Sequence, residues 1–298
     1  MVRKECFSVK KGGVAMYQAG LILEGGGMKG VYTAGVLDFF LDKDIMFSSV
    51  YGVSAGACHM CSYLSRQHGR AAAINIDYLD IRRYCGMESL ITTGDLFNVE
   101  ICYHLIPDYL YPYDYEAFGR YGGKAYSVAT DISAGRPEYF RIRDMRGDID
   151  KIRASASLPL VSRNVVIHGR PYLDGGLSDS IPVHKSVMDG NRKNVVVMTK
   201  EAGYVRRPSS KLGLFKVRYF RYPKVHELMA RRHINYNRQV AYIERLRESG
   251  KAFVLRPKIS GGVGRVEKDA DKLKRLYWQG YEDAAGRYGE LMEFLGTK

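Results

Sequence analysis

Short apolar runs alternate along this chain with longer stretches in which apolar residues recur every three or four positions, and the two periods predict buried strands followed by helices. The first run is Leu21-Ile22-Leu23 and the second spans Met46 to Tyr51. Between them Val31, Ala34, Gly35, Leu37 and Leu41 recur at helical spacing, which leaves Asp38, Asp42, Lys43 and Asp44 for a solvent face. Two strands joined by one crossover helix are parallel neighbours with a right-handed connection, so their carboxyl ends should meet at one edge of the sheet. Each strand ends in a glycine-rich turn, Gly25-Gly26-Gly27 after the first and Gly52-Val53-Ser54-Ala55-Gly56 after the second. A helix follows each turn, so backbone N–H groups without helical partners should point into a shared crevice suited to negative charge.

Further along, residues 71–123 read as irregular helical structure rich in tyrosine, including Tyr78, Tyr84, Tyr103, Tyr109, Tyr111, Tyr113, Tyr115 and Tyr121. Their rings suit either core packing by short helices or a wall for an apolar substrate chain. Strands are expected at residues 125–130 and 138–142, and a hairpin at Val165-Val166-Ile167 and Tyr172-Leu173 around His168-Gly169-Arg170-Pro171. Residues 154–159, ASASLP, form a run of small residues closed by Pro159 and suited to tight packing. The run Val195-Val196-Val197-Met198 is expected to complete the sheet. A long helix follows over residues 224–248, then a strand from Ala252 to Leu255, a loop at Gly261, Gly262 and Gly264, and a final helix from about Asp269 to Leu295, with Asp269 or Asp271 as an acidic cap.

Composition narrows the function classes. With 298 residues and 46% hydrophobic content the chain can bury a full core, and no window holds the eighteen apolar residues of a membrane span. No secretory signal is read near the amino terminus, because glycine breaks the region after Lys11. Five cysteines, Cys6, Cys58, Cys61, Cys85 and Cys102, lack the spacing of a zinc site and read as free packing thiols, which places the protein in the cytoplasm. The net charge of +14 asks for an anionic neighbour. Residues 205–224, VRRPSSKLGLFKVRYFRYPK, interleave seven Lys or Arg with Leu212, Leu214, Phe215, Val217, Tyr219 and Phe220. That pattern suits a solvated connection or a peripheral contact with an anionic membrane at its inner face. No nucleic-acid module accompanies it, so no nucleic acid partner is expected.

Gly25, Gly27 and Gly30 satisfy the dinucleotide pattern G-x-G-x-x-G, but the second strand ends in the serine turn where an acidic ribose ligand belongs. The serine turn itself is G-x-S-x-G, bounded by Gly52 and Gly56, and a serine on a sharp strand-to-helix turn has its hydroxyl forced out toward an acyl carbonyl. The glycine loop would supply oxyanion donors. For a base, His184 after Asp174 gives the chain order of a serine, aspartate, histidine triad, although only one helical crossover precedes Ser54. The other candidate is Asp174 itself, at a strand end followed by Gly175 and Gly176.

EGGGMKG at 24–30, GVSAG at 52–56, ASASLP at 154–159 and DGG at 174–176 together resemble the patatin-like phospholipases, over roughly residues 20–200. The resemblance implies a three-layer α/β/α fold with a mainly parallel central sheet, and hydrolysis of phospholipid or other acyl esters by a Ser-Asp dyad without histidine, metal or cofactor. It carries Ser54 over as nucleophile, Asp174 as base and Gly25, Gly26 and Gly27 as the oxyanion hole, with Lys29, Gly30, Gly52, Gly56, Gly175 and Gly176 as supporting motif positions. The family often has arginine where Lys29 stands and aspartate where Glu24 stands; lysine keeps the charge and loses the planar fork. The organisation expected is a leader at 1–19, a catalytic domain at 20–200, and a mostly helical C-terminal extension with the basic segment at 201–298. The competing expectation is a peripheral anionic-membrane-binding protein with a vestigial hydrolase site.

Overall fold

The computed structural model describes residues 16–259 and 261–296. Cys6 and residues 1–15 of the expected leader lie outside the described residues, and residues 17–19 belong to the first strand. In chain order the elements are β1 (Tyr17–Leu23), α1 (Val31–Asp42), β2 (Phe47–Val53), α2 (Ala55–Leu64), α3 (Arg70–Ile76), α4 (Met87–Thr93), a wide helical turn (Ile101–Leu110) and α5 (Tyr115–Gly119). Then come β3 (Lys124–Asp131), β4 (Arg136–Ile142), α6 (Ile149–Ala156), β5 (Val165–Ile167), β6 (Arg170–Asp174), α7 (Val183–Met188) and β7 (Asn194–Val197). Residues beyond 200 add α8 (Leu212–Arg218), α9 (Pro223–Glu248), β8 (Ala252–Leu255), α10 (Ala270–Gly286) and α11 (Tyr288–Leu295).

The strands form one sheet in the order β5-β6-β3-β2-β1-β7-β8, with β4 also on β3. From β3 through β8 the pairings are parallel. The pairings of β4, β5 and β6 are antiparallel, so the sheet is mixed at that end. Side chains alternate across it as a strand's period of two requires. Leu21, Leu23, Val195, Val197, Phe253 and Leu255 enter one core beneath α1, α2, α10 and α11. Ile22, Val196, Met198, Ala252 and Val254 enter another beneath α7 and α9. Helices therefore cover both faces, giving the expected three layers.

Two expectations are corrected by the C-terminal third. The run at Val195–Met198 does not complete the sheet, because β8 pairs in parallel beyond β7. Asp38 does not face solvent: it is 3% exposed, accepting from the Gly69 N–H at 3.1 Å and from the Tyr277 hydroxyl at 2.9 Å. The cause is α10, which lies across α1 so closely that a Cβ on Gly35 would stand 2.0 Å from the Tyr277 carbonyl oxygen, and one on Gly280 2.0 Å from that of Tyr32. The expected final helix breaks at Arg287 into α10 and α11, and Asp269 caps α10 by accepting from the N–H groups of Asp271 and Lys272.

Among the described residues, no helix is long and apolar enough to cross a membrane.

Candidate active site

Ser54 occupies the turn between β2 and α2 at φ 55°, ψ −124°, a left-handed position rare for a non-glycine residue. Such a conformation costs on the order of 1–3 kcal/mol and persists only where its surroundings enforce it. The surroundings here are close backbone. A Cβ on Gly52 would stand 2.5 Å from Ala57 Cα, and one on Gly56 2.4 Å from the Leu23 carbonyl oxygen. The Ser54 N–H donates to Ser155 Oγ at 2.8 Å, and the Ser155 hydroxyl donates to the Val128 carbonyl at 2.6 Å.

β1 and β2 are parallel neighbours, so the glycine loop does meet Ser54: a Cβ on Gly25 would stand 2.7 Å from Ser54 Cβ. The loop is held from behind. Thr199 Oγ1 donates to the Gly25 carbonyl at 3.0 Å, while buried Glu24 accepts from Thr199 N–H at 2.7 Å and from the Tyr236 hydroxyl at 2.8 Å. The Arg265 carbonyl accepts from Met28 N–H at 3.0 Å and packs against Gly27. Among the described residues, the N–H groups of Gly25, Gly26 and Gly27 donate to no protein acceptor. Gly30 lets the turn seat on α2, since a Cβ there would stand 2.8 Å from both Ala55 Cβ and His59 Nε2. Lys29 is half-buried in that turn, and its charge reaches Lys200.

Asp174 arrives by a different route. β4 occupies one edge of β3 along residues 125–131, so β2 and β6 share the other edge end to end. β2 runs up it until Val53 stands opposite Val128, and β6 runs down it until Asp174 stands opposite Ala129. The tip of each strand thus abuts the other, and residues 120 apart in sequence share one cleft. Asp174 N–H donates to the Ser157 carbonyl at 2.8 Å, and Thr130 Oγ1 donates to the Asp174 carbonyl at 2.8 Å. Gly176 N–H donates to Oδ1 at 2.7 Å. Gly175 is required because a Cβ there would overlap the Val128 carbonyl oxygen at 2.1 Å. The buried Oδ2 completes no hydrogen bond among the described residues, though the Ser54 hydroxyl is close enough to stabilise its charge. Burial pushes the Asp174 carboxyl above the ordinary 3.8, against the opposing pull of Ser54, Arg232, the Gly176 N–H and Arg265.

The cleft is also lined by Lys200, Tyr204, Arg206, Arg232 and Arg265. Ser54, Gly27 and Leu158 also border a second, apolar space. Cys58, Tyr84, Phe97, Tyr103, Tyr113 and Ile152 are among its walls, so the tyrosine-rich region supplies both core packing and a pocket wall. Cys58, Cys61, Cys85 and Cys102 are free thiols, and burial pushes Cys58 up to about 11, as packing residues require.

His184 and His168 stand apart from this chemistry. His184 is exposed against the Tyr242 ring at 5.9 Å and does not line the cleft. His168 occupies the β5–β6 turn. Burial lowers His59 to about 4, leaving it neutral under the glycine turn. Sequence reasoning missed Ser155 and Ser157 as supports of the serine and aspartate, and it missed Arg232, Tyr236 and Arg265. Arg232 lies on α9 and its Nε donates to the Gly176 carbonyl at 2.6 Å. Such contacts join single polar residues to backbone atoms far away in sequence, and no local spacing announces them.

Comparison with known proteins covers both parts of the chain. The model of the patatin-like phospholipases matches residues 21–186, and that of a Domain of unknown function (DUF6363) matches residues 222–296. The uncharacterized protein YjjU of Escherichia coli (strain K12) is 31% identical over 184 residues, covering 60% of this chain and 51% of that relative. The chain therefore matches about half the length of this relative. Among solved structures, VipD from Legionella pneumophila superposes with a TM-score of 0.47 at 13% identity, over 99% of this chain and 70% of that one.

Proposed function

The chain belongs to the patatin-like phospholipase family, and from that membership we propose that it is a serine lipid acyl hydrolase of phospholipase A, lysophospholipase or esterase type, working with a Ser54-Asp174 dyad. The observation that carries the proposal is the meeting of β2 and β6 on one edge of β3. It sets a strained serine beside a buried carboxylate whose Oδ2 is left without a completed hydrogen bond.

Asp174 accepts the Ser54 proton as Oγ attacks the ester carbonyl, and the N–H groups of Gly25, Gly26 and Gly27 receive the oxyanion. Collapse breaks the bond to the alcohol, which leaves with the proton from Asp174. Asp174 then takes a proton from water, whose oxygen attacks the acyl-serine; collapse expels Ser54 Oγ, which takes that proton back from Asp174 as the fatty acid is released. A free aspartate is a weak base, with a pKa of ~3.9, and the burial that raises Asp174 moves it toward its task. The acyl chain occupies the apolar space beside Ser54. The alcohol portion occupies the cleft.

The exposed apolar residues of the basic segment supply the approach to lipid. Val217 is 73% and Phe220 72% exposed among Lys216, Arg218 and Arg221, while Phe215 and Tyr219 are buried and anchor the segment. Turnover of a panel of acyl esters tests the proposal. Wild type and His184→Ala are expected to hydrolyse, and Ser54→Ala and Asp174→Asn to lose ~10²-fold or more. Activity retained in Asp174→Asn and lost in His184→Ala would replace Asp174 by His184 as the base.

A further inference from the structure

The cleft that holds Ser54 and Asp174 also concentrates positive charge. Lys200 follows β7, Arg206 lies in the loop before α8, Arg232 projects from α9, and Arg265 comes from the loop before α10. Among the described residues no carboxylate lies within ion-pair distance of any of the four, although the charges of the two carboxylates of the cleft reach them, Asp174 acting on Arg232 and Arg265 and Glu24 on Lys200. Glu24 is bonded to Thr199 and Tyr236, and Asp174 belongs to the dyad.

Arg206, Arg232 and Arg265 also line an adjoining chamber, where Arg207 and His233 join them and no carboxylate lines the wall among the described residues. Arg206 Nε and His233 Nδ1 are buried there without a hydrogen-bond partner. The cations suppress one another. Burial and neighbouring Lys29 lower Lys200 to about 8, and burial and Arg206 lower Arg232 to about 10. Like charges gathered with partner-less donors are unfavourable until an anion neutralises them, and guanidinium groups are suited to the paired oxygens of a phosphate.

We propose that Lys200, Arg206, Arg232 and Arg265 form a phosphate-binding subsite that selects acyl esters whose alcohol carries a net-anionic phosphate head group. The proposal rests on the hydrolase reading and adds the identity of the alcohol. Its selectivity follows from the second chamber: a choline or ethanolamine cation would enter a wall of arginines that offers no carboxylate to receive it, whereas a phosphomonoester or an anionic diester brings only negative charge. The cleft lies beside Ser54, so a head group seated on the arginines leaves the neighbouring ester at the serine and the acyl chain at the apolar pocket.

The test compares kcat/KM for lysophosphatidate, lysophosphatidylcholine and monoacylglycerol bearing one acyl chain, in wild type, Arg206→Gln, Arg265→Gln and Arg206→Lys. Wild type should favour lysophosphatidate, and each glutamine variant should lower the lysophosphatidate-to-monoacylglycerol ratio about tenfold or more, with Arg206→Lys between. An unchanged ratio in both glutamine variants, or a wild-type preference for lysophosphatidylcholine, overturns the subsite. Thermal shift of Ser54→Ala with lysophosphatidate and with inorganic phosphate separates this from the hydrolase reading. A shift by lysophosphatidate that Arg206→Gln removes supports the subsite even if no ester is turned over, an outcome that would sink the hydrolase alone. An equal shift by inorganic phosphate overturns the assignment to a lipid head group.

Discussion

Asp174, the base of the proposed dyad, is held in a state that costs folding free energy. Its carboxyl is raised above the ordinary 3.8 chiefly because burial strips water from the charged form. The consequence for rate is an acidic limb: turnover should fall as pH drops through the raised value, above the 3.8 of an ordinary carboxyl. The consequence for stability has the opposite sense. A raised folded-state value means that the neutral form is favoured by folding, so its contribution is complete below the unfolded value and is lost as pH rises through the folded one. Asp174→Asn should therefore melt higher than wild type at neutral pH and lose that advantage in acid below the ordinary carboxyl range. Melting curves at the two extremes measure this. A variant less stable than wild type at neutral pH would contradict the cost assigned to the buried charge.

Strands, turns and their special residues were legible because each is written in a few consecutive positions. The glycine loop, the G-x-S-x-G turn and the Asp174 turn could be read from the sequence, and the parallel pairing of β1 with β2 followed from connection length. Partners distant in sequence were not legible. Asp38 sits at a polar position of α1, and its partners lie far off in the chain, the Gly69 N–H and, 239 residues later, the Tyr277 hydroxyl. The same is true of β8, whose apolar run was clear although nothing in it announced pairing beyond β7. At this scale Gly35 and Gly280 set the distance between α1 and α10. Gly280→Leu should lower stability by about 1–3 kcal/mol, because the new Cβ would overlap backbone that cannot turn aside. Urea denaturation checks this, and an unchanged midpoint would show that the helices separate freely.

Across the whole molecule, the residues after 200 are built into the site. Tyr236 bonds Glu24 behind the glycine loop, Arg265 packs on Gly27, and Arg232 holds the Gly176 carbonyl. The net charge of +14 then has a place to act, since the basic segment carrying Val217 and Phe220 also contributes Arg206 to the cleft. Binding to vesicles of anionic lipid should weaken with added salt and weaken further in Phe220→Ala, while vesicles of neutral lipid bind little. Sedimentation of the vesicles measures it, and equal binding to both lipids would detach the charge from this role. The central claim is that Ser54 is the nucleophile. Intact-mass and peptide analysis after a fluorophosphonate probe tests it most directly. One adduct per chain on the Ser54 peptide, absent in Ser54→Ala and slowed in Asp174→Asn, is the result predicted; a wild-type protein that takes no adduct, or takes it on another residue, would contradict it.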